Sequence, residues 1–132
     1  MSVSRLLPAL AIAAALAAAP ASASSAAAAP AATADLTITV HDPLGSAVRQ
    51  YQLTCDPDGG THPRPKAACE AIRTTPEAVK PVPPTTNCRD VVYGPERAKV
   101  SGLLFGVPVT AEFRRTDSCE EARWQAWLPV WG

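Results

Sequence analysis

Four cysteines, Cys55, Cys69, Cys88 and Cys119, are the residues of this chain whose type and number most directly suggest chemistry. Thiols can hold a metal, attack a substrate or pair as disulfides. An even number in a short chain that opens with an export signal points to a disulfide framework. Structural zinc asks for closely paired ligands, whereas Cys55, His62 and Cys69 are evenly and widely spaced, so neither a metal nor a cofactor is expected. Catalysis has no constellation behind it either. His41 and His62 are the 2 histidines, both in turn-like sequence, and no G-x-S-x-G or H-E-x-x-H run occurs. Asp56, Asp58, Glu120 and Glu121 read as a solvated loop and the first turn of a helix. An enzyme is therefore not expected. What stands out instead is the polar stretch that begins at the third cysteine, Cys88-Arg89-Asp90-Val91-Val92-Tyr93-Gly94-Pro95.

The elements around that stretch follow from composition and period. Residues 1–23 read as an export signal: Arg5 is the positive start, Leu6 to Ala19 form an uncharged apolar run, and Ala21-Ser22-Ala23 is a small-x-small exit. Ala19 and Ala27 are rival cleavage points. The apolar run is too short and Ala-rich to persist as a membrane span, and nothing after it is long enough. Residues 24–34 read as a disordered Ala-rich segment. Residues 35–132 then form one domain of roughly a hundred residues, a size at which disulfides usefully supplement a modest core. Lys and Arg number 12 and Asp and Glu also 12, with only Arg5 in the signal, so the exported chain is near charge balance. Nucleic acid and anionic membrane select a basic face, and neither is expected as a partner.

Leu36-Thr37-Ile38-Thr39-Val40 alternates apolar with polar, which predicts a strand burying Leu36, Ile38 and Val40. A turn over 41–46 leads to a returning strand, Val48 to Cys55, with Tyr51, Leu53 and Cys55 on one side. Residues 56–63 are all helix and strand breakers and predict a loop. Lys66 to Arg73 has helix-forming composition. From Thr74 to Pro84 the prolines Pro76, Pro81, Pro83 and Pro84 forbid regular structure and predict a stiff, extended connector. Ala98 to Leu104 and Val109 to Arg114 read as strands joined by a hairpin turn over 105–108. Asp117 with Glu120 three residues later resembles a capping box, opening a helix to about Trp127. Trp124 and Trp127 share a face of that helix, either packed on a sheet or offered to a partner. Leu128 to Gly132 reads as a short edge strand or a simple finish. The order β-β-α-loop-β-β-α predicts an α+β domain on an antiparallel sheet.

A peptide that blocks a protease must enter the active site extended yet be too rigid to leave after cutting. A disulfide at the loop's base and a stiff proline connector both reduce the ordering entropy lost on binding. The stretch from Cys88 fits that requirement, and an ordinary surface loop near a bridge is the alternative.

Leu53-Thr54-Cys55-Asp56-Pro57, Gly60-Thr61-His62-Pro63 and Ala68-Cys69, followed by Cys88, Tyr93-Gly94-Pro95, Val100-Ser101-Gly102, Gly106 and Cys119, resemble the Streptomyces-type subtilisin inhibitor family from about Leu36 to Trp124. The resemblance implies a secreted serine-protease inhibitor with about five antiparallel strands and two helices, commonly a homodimer. It also implies the pairs Cys55–Cys69 and Cys88–Cys119. Its reactive loop would comprise Cys88, Arg89, Asp90, Val91, Val92 and Tyr93. Counting from Cys88, the scissile bond becomes Asp90–Val91, with Asp90 filling the protease's primary pocket. Two departures stand out. Relatives often carry Lys, Arg or Met where this chain has Asp90, and Cys88 is one residue further from Tyr93 than is usual. Alignment on Tyr93 would move the bond to Val91–Val92. The cysteine register is preferred because the disulfide anchors the loop. The competing expectation is a secreted binding or structural module of the same fold that has lost inhibition.

Overall fold

The computed structural model describes residues 4, 8–22, 32–44 and 47–132. Residues 8–22, part of the expected export signal, form no helix or strand and leave Leu10, Ile12 and Leu16 exposed. Ala23, the preferred cleavage point, and most of the 24–34 segment lie outside the described residues. Among the described residues no helix is long and apolar enough to cross a membrane.

Strands β1 (Ala34–Asp42), β2 (Ala47–Cys55), β3 (Gly59–Gly60), β4 (Arg97–Leu104) and β5 (Val107–Phe113) form one antiparallel sheet in the order β3-β2-β1-β4-β5. Alternation decides its two faces. Leu36, Ile38 and Val40 of β1, Leu53 of β2, Ala98 and Val100 of β4 and Phe113 of β5 are buried on one side. Thr37, Thr39, Lys99, Ser101, Thr110 and Glu112 occupy the other, where Thr37 and Gln52 hydrogen-bond across strands. The sheet begins earlier than the sequence suggests. Ala34 is buried in β1, and just before it the Thr33 N–H donates to the Cys55 carbonyl at 3.1 Å, so Ala34 belongs to the sheet and Thr33 is tied to its edge. His41 and Asp42 likewise extend β1 instead of forming the turn. Within the expected 56–63 loop, Gly59 and Gly60 pair with β2 as the fifth strand, which is too short to leave a periodic signature.

Leu104 pairs with Val107, leaving Phe105 and Gly106 as a two-residue turn with φ of 50° and 77°. Both central residues with positive φ match the hairpin turn whose twist suits the strands, and glycine takes such angles without Cβ strain. Helices α1 (Pro65–Thr74) and α2 (Ser118–Ala126) lie beside the sheet, and the chain ends in a 3-10 turn, Leu128–Trp131, packed on α1 rather than in an edge strand. The proline-rich connector is also not uniformly extended: Pro76–Val79 forms a 3-10 turn that buries Ala78.

The three tryptophans point inward. Trp127 stacks on Phe113 at 5.1 Å between ring centroids, Trp131 meets Phe113 edge-on at 4.7 Å, and Trp124 stacks on Trp131 at 4.9 Å. Two of the indole N–H groups are hydrogen-bonded, Trp127 donating to the Thr75 carbonyl at 2.8 Å and Trp131 to the Trp124 carbonyl at 3.1 Å. This cluster fixes α2 against the sheet and the connector, and the packed reading of the tryptophan face is the one realised.

His62 is buried at 4% exposure, far from the solvated turn its neighbours suggest. Its Nδ1 accepts from the Arg64 N–H at 2.9 Å, so Nε2 carries the proton and donates to the Val130 carbonyl at 3.0 Å. Burial lowers its pKa below the ordinary 6.5. The unfolded chain therefore takes up a proton at a pH where the folded chain does not, and this contribution to stability is present above about pH 6.5 and lost below it. Urea denaturation between about pH 7.5 and about pH 5.5 should show declining stability in the wild type and a flatter profile in His62→Phe. Parallel profiles would refute the assignment.

Candidate functional site

Both disulfides are formed, Cys55–Cys69 with Cα atoms 5.7 Å apart and Cys88–Cys119 with Cα atoms 5.5 Å apart. The first ties β2 to α1 within the core. The second ties the end of the proline connector to the start of α2. Closing loops of these lengths stabilises a fold by about 3–4 kcal/mol each on the chain-entropy model. Both cysteines of the conceivable Cys55–His62–Cys69 metal set are thus committed to a bridge.

Residues 88–96 run from that second bridge into β4 without regular structure, and Arg89, Asp90, Val91, Val92 and Tyr93 are all exposed. Val92, at 70%, is the most exposed of the three large apolar side chains. The backbone is nevertheless tied down at two points. Arg89 is held on both of its polar groups by Ser118: its N–H donates to Ser118 Oγ at 2.8 Å, and its carbonyl accepts from the Ser118 N–H at 3.0 Å. The same carbonyl accepts from the Val91 N–H at 2.9 Å, a three-residue turn centred on Asp90. Four residues on, the Tyr93 N–H donates to the Arg115 carbonyl at 2.8 Å. Asp90, Val91 and Val92 project between these anchors. Among the described residues, the backbone groups of Asp90 and Val92 have no hydrogen-bond partner.

The anchor on Ser118 follows from how α2 begins. A helix leaves its first N–H groups without intrahelical partners. Asp117 caps α2, its carboxylate accepting from the N–H groups of Cys119 at 2.9 Å and Glu120 at 2.8 Å. Ser118 gives its own N–H to the loop. The predicted cap is thus real at Asp117, while Glu120 does not reach back to complete the box and pairs with Arg123 at 2.8 Å. Arg123 also donates to the Ala78 carbonyl at 2.9 Å and the Glu112 carbonyl at 3.1 Å, binding connector, edge strand and helix together.

The far side of the loop rests on Arg115, which sequence reasoning passes over. Its guanidinium grips Glu121 through two hydrogen bonds of 2.7 and 2.8 Å, reaches Glu96 at 3.2 Å, and lies 5.8 Å from the centroid of Trp124. Gln125 adds a hydrogen bond to Glu121 at 2.8 Å. The Arg115 guanidinium holds the Glu121 carboxyl below its usual range, and Glu121 in turn raises the pKa of Arg115. Glu121 is therefore a buried partner rather than a solvated first-turn acid. Gly94 passes so close to the Glu96 carboxylate and the Arg115 guanidinium that a Cβ would collide with both. Asp56 and Asp58, by contrast, stay on the opposite loop, each 3.4 Å from Arg73.

Of the residues expected in the loop, Arg89 to Tyr93 are exposed and Cys88 at its base is half-buried; the unexpected members are its supports: Ser118, Arg115, Glu96, Glu121 and Gly94. Replacing Ser118 with Ala removes one hydrogen bond to the Arg89 N–H while leaving the helix start intact. Stability in urea should fall by about 1 kcal/mol and hydrogen exchange at the Arg89 amide should accelerate. Unchanged exchange there would contradict the anchor.

Residues 29–117 match the family model described as subtilisin inhibitor-like. Among solved structures the chain is similar to Streptomyces caespitosus sermetstatin, crystallised in complex with Bacillus licheniformis subtilisin. The two are 24% identical, the match covers 74% of this chain and 96% of that one, and the TM-score is 0.48. No curated protein matches. The chain belongs to the subtilisin inhibitor-like family, whose members are protease inhibitors rather than enzymes.

Proposed function

We propose that the chain is a secreted, standard-mechanism inhibitor of a serine endopeptidase, with Asp90–Val91 as its reactive bond. One observation carries this reading: three exposed residues, Asp90, Val91 and Val92, span two fixed anchors beside the Cys88–Cys119 bridge. A protease binds its substrate as an added extended strand, so the free backbone groups of Asp90 and Val92 are the kind it needs. Because Arg89 and Tyr93 are already fixed, little further ordering is lost on binding. Asp90 follows directly after the doubly held Arg89, which favours the register counted from Cys88. The rival bond, Val91–Val92, lies in the same span.

Asp90 sets the target class. A carboxylate loses its hydration in an apolar pocket and is repelled by an acidic one, so a protease with a basic or polar primary pocket is the partner proposed. Asp90→Met should strengthen binding to subtilisin by more than about tenfold, or about 1.4 kcal/mol. Mass spectrometry of a complex trapped at low pH should show one cut, after Asp90. A cut after Val91 would select the other register.

The acid at this position also favours a second reading, a secreted binding module of the same fold without inhibition. A panel of subtilisin-, trypsin-, chymotrypsin-, elastase- and glutamate-specific proteases separates the two. Inhibition of none, with both disulfides intact, selects the module. A homodimer, which the resemblance also implies, belongs to the first reading, and sedimentation as a single copy would remove it.

A further inference from the structure

We infer that the first turn of α2 is a shared base for both halves of the reactive loop, and that Arg115 is the positioning residue for the half that follows the scissile bond. This inference rests on the inhibitor reading above and deepens it. Before the bond, Cys88 is joined covalently to Cys119, and Arg89 is held by Ser118 at 2.8 and 3.0 Å. After the bond, Tyr93 is held by the Arg115 carbonyl at 2.8 Å, and Glu96 by the Arg115 guanidinium at 3.2 Å. That guanidinium is itself fastened to Glu121 at 2.7 and 2.8 Å. Residues 118, 119 and 121 therefore hold both sides of the loop from a single turn of helix. The two sides differ in kind. One is secured by a covalent bridge, and the other, without a bridge, by the hydrogen bond to the Arg115 carbonyl and the ionic clasp of its guanidinium.

The difference matters once the protease acts. Its serine hydroxyl adds to the Asp90 carbonyl carbon, the Asp90–Val91 bond breaks, and the Val91 nitrogen takes a proton and leaves as an amine. While that amine stays beside the acyl carbonyl it can attack back, expelling the serine and restoring the intact chain with nothing consumed. If it drifts away, water attacks instead and leaves an Asp90 carboxylate. Asp90 cannot leave, because Cys88 is bridged to Cys119. Whether Val91 leaves depends on what holds residues 92–96, and that is Arg115. The turn in which the Val91 nitrogen sits 2.9 Å from the Arg89 carbonyl adds a local hold on the same atom. Trp124 beneath the guanidinium and Gln125 beside Glu121 keep the clasp in one geometry.

The test compares wild type with Arg115→Met, Arg115→Lys and Glu96→Gln, using a catalytic amount of a glutamate-specific serine endopeptidase, whose pocket accepts an acidic residue, as the cutting enzyme. The ratio of intact to cut chain is measured at equilibrium, approached from the intact protein and from protein already cut. Hydrogen exchange at the Tyr93 amide is followed in the cut chains. Arg115→Met should shift the ratio toward the cut form by tenfold or more and accelerate exchange at Tyr93. Arg115→Lys should recover part of both effects. Glu96→Gln keeps the Arg115–Glu121 pair, and so reports on the loop side even if Arg115→Met fails to fold; it should give a smaller shift in the same direction. Equal ratios and equal Tyr93 exchange in wild type and folded variants overturn the clasp. If the wild-type chain never reseals but its Tyr93 amide stays protected relative to the variants, the inhibitor reading fails and the clasp survives.

Discussion

The bond between the start of α2 and the segment after Cys88 is the constraint on which the rest of the molecule depends. Ser118 spends its helix-start N–H and its hydroxyl on one residue, Arg89, and Cys119 adds the covalent link to Cys88. A helix can serve as such a base only if it does not move. Trp127 and Trp131 pack on Phe113 of the sheet with Trp124 stacked on Trp131, and Arg123 ties the same helix to the connector and the edge strand. The apolar cluster gives the helix its place, and the helix gives the loop its shape. Removing the cluster would leave the disulfide attached to an element free to shift.

Rigidity in an exposed loop is otherwise hard to obtain. Fixing a residue's backbone costs about 1–2 kcal/mol in conformational entropy, and a solvated segment buries little apolar surface to offset it. Here the offset comes from groups outside the loop: a bridge, a helix N-terminus, and the paired charges of Arg115, Glu121 and Glu96. The side chains of residues 90–92 are thereby left free for a partner. Gly94 lies directly against this clasp, where an added Cβ would require the Glu96 carboxylate and the Arg115 guanidinium to shift.

Much of this was legible in the sequence, and the limits have physical causes. The alternation in Leu36 to Val40 and the cap at Asp117 are local signals, so β1 and α2 were readable from neighbours alone. The disulfide pairs came through family resemblance, since spacing by itself admits other pairings. The two-residue strand Gly59–Gly60 has no period to detect. The clasp was invisible for a different reason: Arg115 meets Glu96 nineteen positions back and Glu121 six ahead, and nothing in either local pattern marks a charge as buried. His62 hid similarly, because its partner Val130 lies at the far end of the chain.

The central claim is that residues 89–93 are already held in one backbone conformation before any protease arrives. Backbone order parameters from nuclear magnetic resonance relaxation on the free protein address this directly. The account predicts values of about 0.85 through the loop, as in a rigid backbone. Values below about 0.6 would mean that the anchors at Ser118 and Arg115 do not restrain it, and would contradict the account.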